Sequence, residues 1–104
     1  MFNSLKAWAN VPLEIRPFIK HDTAGDPEYG DLIEALCYPE AKARMVVDRD
    51  GREVISAITL YIDPVWKAKF HIDDALIFDD EEHAIKAKSA LYRNGVVDIW
   101  VVNI

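Results

Sequence analysis

From Ala43 to Asp63 the chain reads ARMVVDRDGREVISAITLYID, and no other segment restricts the fold as tightly. Two β-rich runs, Ala43–Val47 and Arg52–Asp63, flank Asp48-Arg49-Asp50-Gly51. Asp-Gly favours the positive φ angles of a hairpin turn, so a β-hairpin is expected here. In the second run Val54, Ser56, Ile58, Leu60 and Ile62 fall on one face, and Ile55, Ala57, Thr59 and Tyr61 on the other. Both faces are rather apolar, as in a strand covered on each side or set in a small barrel.

The rest of the chain reads as further β runs separated by turn chemistry. Pro12 to Lys20 alternates with a period of two, which predicts a half-buried strand that Pro17 pushes toward an edge. Residues 21 to 31, HDTAGDPEYGD, are dense in Gly, Asp and Pro and read as one long loop. Asp63-Pro64 stops the central strand, because proline cannot donate to a ladder. Ala75–Phe78 reads as a short apolar strand closed by the acidic turn Asp79-Asp80-Glu81-Glu82. His83–Leu91 reads as a strand with His83, Ile85, Ala87, Ser89 and Leu91 inward, although its Ala and Lys content would also suit a helix. Asn94-Gly95 signals another hairpin, leading into the apolar terminal run VVDIWVVNI. The expectation is one all-β domain over 1–104: a small SH3-like barrel of about five or six strands with one long loop. An N-terminal extension over 1–12 is expected to carry a short helical turn.

Composition narrows the function classes. The chain has 104 residues, enough for one domain and one thin core. Its 18 acidic side chains against 12 basic ones give a net charge of −6. That sign disfavours tight binding to nucleic acid or to an anionic membrane. The single cysteine, Cys37, excludes an internal disulfide framework and a multi-thiolate zinc site. No basic n-region with a long apolar run opens the chain, so no signal peptide is expected. No apolar stretch approaches the ~20 residues of a membrane span. A cytosolic protein is expected.

The chemistry-bearing residues fit no catalytic motif. His21, His71 and His83 have acidic neighbours, but their spacing matches no compact metal-ligand pattern. Asp48-x-Asp50-Gly51 opens like a calcium loop yet lacks the twelfth-position acid and the flanking helices. Neither Cys37 nor Ser56 sits in a nucleophile motif, and the four glycines are scattered. Lys67, Lys69, Lys86, Lys88 and Arg93 with Trp66 and Tyr92 could make a basic, aromatic stripe of the kind that binds single strands, against which the global charge argues. No enzyme, cofactor or metal is expected.

The order of the pieces carries more information than any one residue. Arg16-Pro17-Phe18 precedes a loop ending Glu28-Tyr29-Gly30-Asp31, and Asp50-Gly51-Arg52-Glu53-Val54-Ile55-Ser56 runs into a strand closing with Tyr61-Ile62-Asp63. A short strand around Asp74–Asp79 follows, and the chain closes with Tyr92-Arg93-Asn94-Gly95 and Val96–Val102. This succession, over residues 13 to 103, resembles the small minor capsid or head-closure (head–tail joining) proteins of tailed phages and prophages. It departs from them at Asp73-Asp74, where Gly-Asp is usual, and at Ile99, where a histidine is common.

The resemblance implies a small barrel with an extended loop that forms a ring on a portal or adaptor, seals the packaged genome and docks the tail. Its partners would be portal, adaptor and tail proteins, with packaged DNA passing through an acidic ring. Its place would be the host cytoplasm during assembly and then the virion. Asp22, Asp26, Glu28, Tyr29, Gly30 and Asp31 are the expected assembly loop, with Arg16, Arg52 and Tyr61 as further interface candidates. A stand-alone barrel binding a peptide or a single-stranded nucleic acid is the alternative expectation.

Overall fold

Strands form where β-branched and aromatic residues alternate, and Gly, Asp, Asn and Pro cut them where the chain must turn. The computed structural model describes residues 8–104, so the helical turn expected near the N-terminus falls mostly outside the described residues. Among the described residues there are eleven strands. The first six are β1 (Val11–Arg16), β2 (Phe18–His21), β3 (Pro27–Tyr29), β4 (Ile33–Glu40), β5 (Arg44–Val47) and β6 (Glu53–Ser56). The remainder are β7 (Thr59–Ile62), β8 (Ala75–Phe78), β9 (Glu81–Ala84), β10 (Ala87–Arg93) and β11 (Val96–Asn103).

The chain is all-β, as expected. Seven strands in the order β10-β11-β7-β4-β1-β8-β9 form one antiparallel sheet, curled into a half-barrel. Two ribbons, β2–β3 and β5–β6, stand outside it. The strands outnumber the expected five or six because the chain changes sheet in the middle of apparent runs. Pro17 lacks an N–H, and the run from Pro12 to Lys20 divides there into β1 of the main sheet and β2 of a ribbon. Arg52–Asp63 divides at Ala57-Ile58, where Ser56 Oγ lies 3.0 Å from the Ile58 carbonyl and 2.9 Å from that of Ile104. His83–Leu91 is strand rather than helix, but it breaks at Ile85-Lys86, and the Lys86 N–H donates to the Asn103 carbonyl at 2.8 Å. The break shifts the phase. Lys88 and Ala90, rather than Ala87 and Ser89, pair with the core residues Val102 and Trp100.

The core lies on the concave face. Leu13, Ile15, Ala35, Cys37, Leu60, Ile62, Leu76, Trp100 and Val102 point into it from the sheet. Phe70, on the connection between β7 and β8, is fully buried and meets the Trp100 ring edge-on at 5.6 Å between centroids. An open half-barrel leaves its concave face to be filled, and this phenylalanine fills it. Burying each such side chain contributes about 1.5–3 kcal/mol.

The connection is held by Asp74, which is 2% exposed. Its carboxylate accepts the backbone N–H groups of Phe18 at 2.7 Å and His71 at 3.0 Å, and pairs with the Lys67 ammonium. A buried carboxylate is tolerated only when paired and hydrogen-bonded, and this one meets both conditions.

Candidate functional site

The long loop expected over 21–31 is a hairpin. Its strands β2 and β3 pair Phe18 with Tyr29 and Lys20 with Glu28. Asp22 makes the turn, because its Oδ1 accepts the N–H groups of Ala24 and Asp26, both at 2.9 Å. Gly25 then takes the left-handed conformation, at φ +88°. The β5–β6 turn is built the same way: Asp48 Oδ1 accepts from Asp50 at 2.9 Å and Arg52 at 3.0 Å, and Gly51 has φ +79°. Side-chain capping by Asp followed by a left-handed Gly closes both ribbons.

The nine interface candidates are only partly gathered. Asp22, Asp26, Glu28, Tyr29, Gly30 and Asp31 all belong to the β2–β3 hairpin or its exit. Gly30 donates its N–H to the Pro17 carbonyl at 2.8 Å, which closes the base of the hairpin. Arg16 ends β1 just before that ribbon and pairs with Glu82 at 2.9 Å. Arg52 lies on the other ribbon's turn, where it pairs with Asp50 at 3.2 Å. Tyr61 lies elsewhere again, on the outer face of β7 opposite Tyr38, with ring centroids 5.9 Å apart.

The feature that sequence reasoning missed is the outward face of β5–β6. Met45 and Ile55 are direct cross-strand partners, and with Val47 they are 63%, 61% and 59% exposed. On the opposite face Val46 pairs with Val54, and both are half-buried. The ribbon does not hang free. Ser56 fixes its base, Lys86 Nζ donates to the Ile55 carbonyl at 2.8 Å, and Arg49 at its tip pairs with Asp73. Period-two alternation marked both faces as apolar without telling which one the body covers.

Two of the three histidines singled out for chemistry pack against one ring. The Phe18 ring lies 4.9 Å from His71 and 5.0 Å from His21, which gathers two histidines about one aromatic. Among the described residues no three His, Cys, Asp or Glu side chains converge as a metal ion requires. Cys37 is fully buried, and desolvation pushes its thiol up to about 12, so the nucleophilic thiolate is suppressed. No helix among the described residues is long and apolar enough to cross a membrane.

No protein-family model matches this chain. No curated protein is similar enough to count as a relative.

Proposed function

We propose that the chain is a non-enzymatic structural protein of the head–tail junction of a tailed phage or prophage. Copies form a ring on a portal or adaptor, seal the packaged genome and present a surface to the tail. The reading starts from the order of motifs between Arg16 and Val102.

The observation that carries it furthest is the β5–β6 ribbon, which holds Met45, Val47 and Ile55 in water on a strand pair fixed at base and tip. Apolar side chains presented together on an anchored ribbon suit burial against a neighbour. The β2–β3 hairpin adds a second arm, with Ile19 59% exposed. A net charge of −6 fits a ring through which duplex DNA passes without sticking.

Electron microscopy of lysates from a phage or prophage deleted for this reading frame tests the proposal. DNA-filled heads that leak, beside free finished tails, are expected. Intact, tailed, infectious particles would overturn the reading.

A further inference from the structure

On the outer face of the curled sheet, strand register sets Glu34, Glu14, Ile77 and Glu82 in one row across β4, β1, β8 and β9. Glu14 stands directly opposite Glu34, and like charges so placed destabilise an antiparallel pair. Glu82 is neutralised by Arg16. Glu14 and Glu34 are not, nor are Asp79 and Asp80 at the neighbouring turn: among the described residues no cation pairs with any of the four.

These four acids line a groove of about 580 Å³ together with the outward-facing apolar residues Pro12, Leu36 and Ile77. The groove lies where the sheet is incomplete. Strand β8 pairs with β1 only over Glu14–Arg16, so among the described residues Val11–Leu13 has a strand neighbour on the β4 side alone. Beyond Leu36 the next outward residue on β4 is Tyr38, packed against Trp8 at 6.3 Å and Tyr61 at 5.9 Å. An aromatic shelf therefore continues the acidic groove.

We propose that this groove docks an extended segment of a partner protein in which basic and apolar residues alternate. Pro12 has no N–H to offer an added strand, so recognition falls to side chains: the acids suit Lys and Arg, the outward Pro12, Leu36 and Ile77 suit apolar side chains, and the aromatic shelf suits a guanidinium or an apolar side chain. The cross-strand Glu14–Glu34 repulsion is a standing cost in the free protein that a bound cation relieves. Unlike duplex DNA, whose phosphates the acids repel, such a segment is complementary in charge and in its apolar side chains. The proposal holds whether or not the chain belongs to a virion.

The test is a titration of the ¹⁵N-labelled full chain with the acetylated, amidated peptide Lys-Val-Arg-Val-Lys, with Glu-Val-Asp-Val-Glu as its charge-reversed control. Amide shifts are expected at Leu13, Glu14, Glu34, Leu36 and Ile77 through Asp80 with the basic peptide alone. The Glu14→Gln/Glu34→Gln variant should bind about tenfold more weakly yet melt at a higher temperature, while Glu28→Gln/Asp31→Asn, with the same charge change on the β2–β3 arm, should lose less than about twofold. Shifts scattered over all acidic surfaces, equal losses in the two variants, or binding of both peptides alike would overturn it.

Discussion

The Asp74 carboxylate accepts the Phe18 backbone N–H at 2.7 Å, joining positions 56 residues apart in the chain. Phe18 begins the first ribbon, and Asp74 precedes β8 of the main sheet. One buried side chain thus ties a ribbon, the β7–β8 connection and the sheet together, with Lys67 as its counter-ion. Asp74→Ala strands that lysine, which is itself only 12% exposed, and leaves two N–H groups unsatisfied. A loss of about 3–5 kcal/mol is expected in urea unfolding at neutral pH, the range for breaking a buried pair from one side. A loss below about 1 kcal/mol would mean that water reaches the site.

Phe70 tests the open half-barrel. Fully buried on the β7–β8 connection, its ring packs edge-on against Trp100 of the sheet. Phe70→Ala should cost about 3–5 kcal/mol, and Phe70→Leu should recover most of that by refilling the volume. Differential scanning calorimetry of both variants decides the matter. Equal, small shifts would show that the core collapses around the gap.

The two ribbon turns show what could be read from the sequence and what could not. Asp48-Arg49-Asp50-Gly51 was legible as a hairpin because β-branched runs flank it on both sides. Asp22-Thr23-Ala24-Gly25 has the same Asp-x-x-Gly chemistry, yet its flanks, Lys20-His21 and Pro27-Glu28, are polar, so composition alone says loop. Asp22→Ala and Asp48→Ala should each cost about 0.5–2 kcal/mol, as for other side chains that cap backbone N–H groups. Asn at either position keeps the acceptor and should cost less. Amide hydrogen exchange should speed up at Ala24 and Asp26 in the first variant, and at Asp50 and Arg52 in the second. Unchanged protection at those amides would contradict the shared design.

The all-β class was legible because alternation and turn residues are local signals. The sheet changes were not, since Pro17 and Ala57-Ile58 redirect strands through contacts with distant backbone such as Gly30 and Ile104. For the same reason the Glu14–Glu34 opposition was invisible. Register between β1 and β4 is a property of the folded sheet, and neither glutamate belongs to a motif. Phe70 lies in an alternating run, Trp66, Ala68, Phe70 and Ile72 against Lys67, Lys69, His71 and Asp73, that folds as turns rather than as a strand, so the pattern alone does not tell that Phe70 is buried while Trp66 stays exposed.

Burial of Cys37 gives a pH dependence of definite sign. Its thiol is raised from an ordinary value of 9.0 to about 12 by desolvation. Above pH 9 the unfolded chain ionises this thiol and the folded chain does not. The stability it contributes is therefore full below about pH 9 and is lost progressively toward pH 12. Cys37→Ala removes the titration, at the expense of a small cavity. From about pH 8 to pH 11 the wild type should lose stability more steeply than the variant, and parallel curves would count against the burial argument.

Under the proposed head–tail role, the exposed face of β5–β6 serves assembly and the half-buried face serves folding. Met45→Lys or Ile55→Glu, made singly, places charge on the outward face and should change urea-unfolding stability by no more than about 0.5 kcal/mol. Val46→Lys, on the half-buried face, should cost several times more, because its charge is forced against the body. In complementation of a deletion phage, the outward variants should fold normally yet yield heads that fail to join tails. Full infectivity from both outward variants would remove this ribbon from the interface. A stability loss equal to that of Val46→Lys would show instead that the outward face is already covered within the folded chain.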